Sequence, residues 1–472
     1  MSRPLETLLA PAGAAGPGPA LLVRQPGLAR LARGWLWLGL LALAGSGVFA
    51  VLLVLSRTPQ LNQWLPVANF FQVALIVHVN LSVLVWLVAL AGMLWTLSGS
   101  AQATGLAWLA LCLGAAGTVL MAVAPFTDQG QPIMANYIPV VDGPIFLTGL
   151  ATFGLGGAAL VLRGLFSTRP IGPGLAEEGA LRFGFNASVV AGAVAVISFA
   201  ASLWLVPRTL DAQTYFEILF WGGGHALQFV WTLLMLVGWL WLAQATGARV
   251  PLSPRLTVLM FALALAAVFA TPLAYLASGV TSVEFRQINT WAMRLGGGIA
   301  IVPIGLAVVI GLARSGTRLR AATMPPLRAT LVASIVLFGA GGLIGALISG
   351  NNVRIPAHYH GCIVGVTLVL MGLVYLLLPR LGYQAPRGGL AFWQPVMYGS
   401  GQLLHIIGLV WSGGYGVQRK VGGAEQVLRS TPEFIGMGLM GLGGLVAIIG
   451  GLLFVIVVAR AMRGSAVAGM AA

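Results

Sequence analysis

The sequence predicts an all-α fold, a polytopic membrane bundle of about twelve transmembrane helices. Only 7% of its 472 residues are charged and 58% are hydrophobic, whereas a soluble domain is typically about a quarter charged. The mean hydropathy is +0.95. The apolar residues also come in runs of the length that a bilayer crossing requires, about 20 residues. These runs leave no polar stretch long enough for a soluble domain. The formal charge of +15 comes from 24 arginines and the single Lys420. The arginines sit in short loops between apolar runs, where membrane topology accounts for them. The partner this predicts is the lipid bilayer, with no nucleic acid.

In chain order the runs fall near 35–56, 67–98, 103–125, 141–164, 183–206, 217–247, 254–279, 291–314, 327–350, 357–379, 392–414 and 434–460. Residues 1–34, rich in Ala, Gly, Pro and Arg, read as a cytosolic tail, residues 35–463 as the membrane domain and 464–472 as a C-terminal tail. Turn signals such as Arg57-Thr58-Pro59 and Pro251-Leu252-Ser253-Pro254 separate some of the runs. Glycine-rich stretches, Gly341 to Gly345 and Gly436 to Gly444, fit helices that approach closely through small residues. The cysteines Cys112 and Cys362 lie in separate apolar runs and predict neither a disulfide framework nor a metal site. If the N-terminus is cytoplasmic, loops on that side carry 17 of the 25 basic residues and the other side 8. That bias predicts both termini inside; the membrane expected is a bacterial inner (plasma) membrane.

The chain has only five histidines, and each falls in a run: His78 in the second, His225 in the sixth, His358 and His360 at the start of the tenth, His405 in the eleventh. Alternating run direction puts all five toward one face of the membrane. Ionisable groups at membrane depth are costly and mark functional sites. His358 and His360 are two residues apart, about 200° around a helix. They cannot share one metal ion, but they can serve two planar cofactors, one on each side of the helix. Haem suits such a position. A low-spin haem also needs an axial ligand from a second helix, and His78 lies at matching depth.

The segment Ala357-His358-Tyr359-His360, continuing through Gly361 to Arg380, resembles the tenth helix of subunit I of the haem–copper oxidase superfamily, which includes cytochrome c oxidases and nitric oxide reductases. The twelve runs, the histidine of the second, Gly224-His225 in the sixth and Gln402 to Leu409 in the eleventh extend that resemblance over most of the chain. It implies that His78 and His360 are the axial pair of a low-spin haem of b or a type. His358 would be the proximal ligand of a high-spin haem that binds O2 or NO, and His225 a catalytic ligand of a second metal, copper or non-haem iron. Arg419 and Lys420 would pair with haem propionates. The implied partners are other respiratory-complex subunits, with cytochrome c or quinol as electron donor.

The chain departs from the pattern in its seventh run, which reads Thr271-Pro272-Leu273-Ala274-Tyr275 where the family has a His-His pair. Phe229 stands where some oxidases have the tyrosine linked to the sixth-helix histidine, and Gln228 is the nearest counterpart of a reductase glutamate. One imidazole is too few for copper or non-haem iron. The reading is therefore a di-haem respiratory electron-transfer subunit with a degenerate copper site. The alternatives are a non-catalytic di-haem electron-transfer or anchor subunit, and a transporter with a histidine-lined site. A transporter predicts inverted repeats and broken helices, and no clear repeat is visible.

Overall fold

The computed structural model describes residues 21–22, 25–57, 70–127, 130–172, 175–315, 325–419 and 428–464. Among them, eleven helices are long and apolar enough to cross a membrane. They are α1 (Pro26–Arg57), α2 (Phe70–Ser98), α3 (Thr104–Thr127), α4 (Pro144–Ser167), α5 (Glu177–Leu205), α6 (Trp221–Ala245), α7 (Pro254–Ala277), α8 (Val283–Arg314), α9 (Pro325–Ala346), α10 (Arg354–Leu381) and, last in the chain, α12 (Thr431–Arg463). Between the last two lies α11 (Gly389–Gly414), 26 residues long. It is less apolar because it carries Gln394, Tyr398, Ser400, Gln402 and His405. All twelve expected spans are therefore helices. Helix α1 already begins at Pro26, with proline in a first-turn position that needs no N–H donor. The part of the expected tail after Gln25 is thus helical, and residues 1–20 and 465–472 lie outside the described residues.

The chain forms two compact units, one of residues 1–241 and 249–314, the other of 242–248 and 315–472. In the first unit α2 is the anchored element. Its C-terminal end is held by the fully buried Arg163 of α4, which donates from Nη1 to Trp95 O (3.2 Å), a carbonyl that also accepts from Gly99 N, and from Nη2 to Ser100 O just beyond the helix (2.8 Å). A cation at a helix C-terminus also complements its dipole. Trp95 Nε1 donates to Ser188 Oγ of α5 at 2.8 Å. Midway, α2 widens into a π-turn at Asn80–Val85, where Trp86 N–H reaches Leu81 O. A second π-turn, Ala292–Gly296, interrupts α8. Helix α7 breaks at Phe269, because Pro272 lacks the N–H that would bond Val268 O.

Between α3 and α4 runs a hairpin of two three-residue strands, β1 (Gln131–Ile133) and β2 (Val140–Asp142), antiparallel with Pro132 opposite Val141. Asn80 Nδ2 donates to Pro139 O at 2.8 Å and pins this hairpin to α2.

The second unit is built around α10, in which Val364 to Tyr375 is buried without interruption. Helix α9 packs on α10 through glycines: a Cβ on Gly341 would lie 2.6 Å from Cys362 N, and one on Gly361 2.6 Å from Gly341 Cα. Helices α11 and α12 meet in the same way at glycines seven residues apart, Gly401 and Gly408 on one, Gly436, Gly443 and Gly450 on the other. A Cβ on any of the five would fall within 2.6 Å of an atom of the opposing helix. Such small-residue seams let helix backbones touch in a bilayer, where lipid gives no hydrophobic drive to association. Cys112 and Cys362 are both free thiols.

Candidate functional site

Four of the five histidines are oriented by one device, the Nδ1 proton donated to a backbone carbonyl. His78 Nδ1 lies 2.9 Å from Ser46 O in α1, with Ser46 Oγ also 2.9 Å away. His358 Nδ1 lies 2.7 Å from Gly341 O in α9, His405 Nδ1 2.9 Å from Met440 O in α12 and His225 Nδ1 2.7 Å from Trp221 O, one turn back in α6. A carbonyl only accepts, so each ring carries its proton on Nδ1 and leaves the Nε2 lone pair outward. A hydrogen bond of this kind, from the ring nitrogen that does not touch the metal, fixes the tautomer and plane of metal-ligating histidines.

What meets Nε2 separates them. At His78 and His358 no hydrogen-bond partner for Nε2 is found among the described residues. The His78 carbonyl is held as well, by Ser82 Oγ of the π-turn at 2.7 Å and by Ser46 Oγ at 3.2 Å. The His358 ring lies against Gly345, where a Cβ would sit 2.5 Å from Nδ1. At His225, by contrast, Nε2 accepts from the Tyr137 hydroxyl at 2.9 Å. Both of its nitrogens are thus taken by protein, and the ring is buried at 4% exposure.

The Tyr137 seat follows from the local sequence Trp221-Gly222-Gly223-Gly224-His225. Each glycine admits an aromatic ring where a Cβ would stand: Tyr275 at Gly222, Phe199 at Gly223 and Tyr137 at Gly224, the last with its Cγ 2.3 Å from that absent Cβ. Tyr137 also meets Trp221 edge-on, with ring centroids 5.8 Å apart. Its loop is tied to the short helix Ala212–Leu219 by Glu217, which accepts from Asn136 N at 3.0 Å and from Asn136 Nδ2. Burial first, and then the Glu217 charge, push the Tyr137 phenol above its usual value near 10. Tyr275, in the place of the family's His-His pair, bonds Ser202 Oγ at 2.6 Å and Ser198 O at 3.0 Å.

On α10 the two neighbouring histidines diverge as their spacing requires. His358 turns to Gly341 and Gly345 of α9, while His360 meets the ring of His405 on α11, centroids 4.9 Å apart and planes at 61°. The start of α10 is pinned by Val353 N to Val417 O (3.0 Å) and by Arg419 Nε to Asn351 Oδ1 (2.5 Å). Arg419 therefore stands beside the end of α10 that bears the histidines, and Lys420 lies outside the described residues.

These donor sets fit the implied cofactors unequally. Axial haem ligation needs one imidazole nitrogen per face, and the lone pairs of His78 and His358 are held ready for that task. A copper or non-haem iron site needs three or more ligands. Among the described residues no group of three His, Cys, Asp or Glu side chains converges, and the Nε2 of His225 is taken by a phenol. That residue does not fit a second metal. Sequence reasoning did not single out Ser46, Asn80 or Tyr137. For Ser46 a signal exists, a hydroxyl between two glycines inside an apolar run; for Tyr137, in a loop, there is none.

A membrane bundle of twelve helices with histidines at these positions defines a class, the subunit I fold of terminal oxidases. The profile of the family described as "Cytochrome C and Quinol oxidase polypeptide I" matches residues 30–453, and the chain belongs to that family. A solved haem–copper terminal oxidase, determined as a dimer by electron cryo-microscopy, superposes with a TM-score of 0.65 at 16% identity, covering 94% of this chain and 85% of that one. An uncharacterized protein of Rickettsia prowazekii (strain Madrid E) is 28% identical over 92% of this chain and 96% of its own length. Another, from Aquifex aeolicus (strain VF5), is 28% identical over 75% and 86%.

Proposed function

We propose that this multi-pass membrane protein is a di-haem electron-transfer subunit of a bacterial respiratory chain, built on the subunit I fold but without a working second-metal site. His78 and His360 hold a low-spin haem from α2 and α10. His358 holds a second, high-spin haem from the other side of α10. Haem bound by these residues would supply reversible one-electron chemistry and, at the His358 site, a seat for O2 or NO.

The protein's own residues set the conditions. Ser46 and Gly341 keep the protons of His78 and His358 on Nδ1, so that Nε2 is a ligand without deprotonation. Gly345 gives the His358 ring its place, and Arg419, with Lys420 after it, offers cationic groups for propionates. Both termini are cytoplasmic, the membrane is the bacterial inner membrane, and cytochrome c or quinol delivers electrons alongside companion subunits. The observation that carries the reading is the divergence of His358 and His360 from one helix, with His358 Nδ1 anchored and its Nε2 facing no protein partner among the described residues.

The occupied nitrogens of His225 favour a gas-binding or pure electron-transfer role over four-electron reduction of dioxygen, which needs a second metal beside the haem. A pyridine haemochrome assay and elemental analysis of the purified protein test both parts. Two haems per chain without stoichiometric copper is the expected result. Haem with one copper per chain would overturn the degenerate-site part, and no haem would overturn the whole.

A further inference from the structure

The last two helices contain a histidine that the reading above does not use. His405 sits on α11 between Gly401 and Gly408, where α11 and α12 are in backbone contact: a Cβ on Gly443 would stand 2.3 Å from His405 N and 2.8 Å from its Cα. The backbone of His405 is thus pressed against α12. Its Nδ1 then reaches the Met440 carbonyl at 2.9 Å, and the Cβ position of Gly444 lies 3.4 Å from the same Nδ1, an ordinary van der Waals distance. Main chain, tautomer and ring plane are therefore all fixed from the α12 side. The ring also meets His360 at a centroid distance of 4.9 Å and 61°, within the range in which tilted aromatic rings attract.

We propose that His405 is a positioning residue for His360. The glycine seam makes α11 and α12 a rigid backstop, His405 transmits it, and the His360 imidazole is held in one azimuth about its own Cβ bond. This rests on His360 being an axial haem ligand. The azimuth of an axial imidazole sets its π-overlap with the iron, so the contact tunes the potential and spectrum of the low-spin haem without touching the iron. Outer-shell partners of metal ligands commonly change site properties by 10–100-fold.

The test compares wild-type full-length protein with His405→Ala and His405→Phe. It reads haem content, the EPR g-spread of the low-spin ferric haem, its reduction midpoint, and the CO difference spectrum of the His358 haem. His405→Ala is expected to shift the low-spin reduction equilibrium about tenfold, ~59 mV for a one-electron couple, and to alter the g-spread, with the CO spectrum unchanged. His405→Phe, which keeps a flat ring against His360, is expected to restore most of the wild-type signature. Two haems with an unaltered low-spin signature in His405→Ala would overturn the proposal, as would a His405→Phe protein equally perturbed. If His405→Ala loses its haems, His405→Gln carries the test, since it keeps a donor for the Met440 carbonyl but no ring against His360: a shifted low-spin signature supports the proposal and an unchanged one overturns it. Wild-type protein without haem would instead overturn the functional reading and take this inference with it.

Discussion

His358 and His225 are built alike and end differently. Each donates Nδ1–H to a backbone carbonyl, and each lies where a glycine makes room for a ring. At His358 the glycine is Gly345, and the space it leaves is filled by the histidine itself, so the other nitrogen stays clear. At His225 the glycine is Gly224, and the space admits the Tyr137 ring, whose hydroxyl then takes the other nitrogen. One missing Cβ leaves an imidazole nitrogen clear and another lets it be covered. Histidine and glycine are present in both places, so residue type alone does not separate an imidazole with a clear nitrogen from one that is capped; the third residue does.

The sharpest way to break this contrast is to exchange the outcomes. His358→Ala is expected to abolish the CO-reactive haem while the low-spin haem remains, whereas His225→Ala leaves both haems in place. CO difference spectra of the two variants check this, and loss of the CO signal in His225→Ala would remove the distinction. Gly345→Ala places a methyl group 2.5 Å from His358 Nδ1. It is expected to weaken occupancy of the CO-reactive site by roughly 10–100-fold in haem affinity, while Gly342→Ala, with nothing within 4 Å, has no effect. Titration of the apoprotein with haem measures both.

On the other side of the comparison, Tyr137→Phe leaves the buried His225 Nε2 without its donor, at a cost of about 1–3 kcal/mol in stability. Gly224→Ala, whose methyl would meet the Tyr137 ring, costs a similar amount by overpacking. Thermal unfolding in detergent reads both. The smallest effect concerns pH. The folded Tyr137 phenol is held above its usual value near 10, so the unfolded chain loses that proton first. Its stabilising contribution is present at neutral pH and is lost as pH rises past about 10. The stability gap between wild type and Tyr137→Phe should therefore narrow in that range, and a constant gap would show that the phenol is not shielded.

The helical architecture was legible because apolar runs of bilayer length have few other solutions. Even α11 (Gly389–Gly414), less apolar than the others, was legible as an apolar run over 392–414. The start of α1 at Pro26 was not, because its first turns carry Arg30 and Arg33 and escape a test for apolar runs. The divergence of His358 and His360 followed from helical periodicity alone. The partner of His225 did not, since Tyr137 comes from a loop 88 residues earlier in the chain and is held there by Glu217 and Asn80. Contacts of that kind are made by the tertiary fold, and a single sequence offers no period or spacing from which to read them.

The π-turn at Asn80–Val85 gives α2 one residue more than a regular helix of the same rise would hold. A one-residue deletion inside it would leave length, hydropathy and both ends of the span almost unchanged. Because the wide turn absorbs the extra residue, closing it would keep the two ends in phase, whereas the same deletion in the regular stretch between Trp86 and Leu94 would rotate everything before it by about 100° relative to everything after, carrying His78 away from Ser46 while Trp95 stayed on Ser188. The phase of the helix, more than its composition, is what keeps its two ends facing their separate partners.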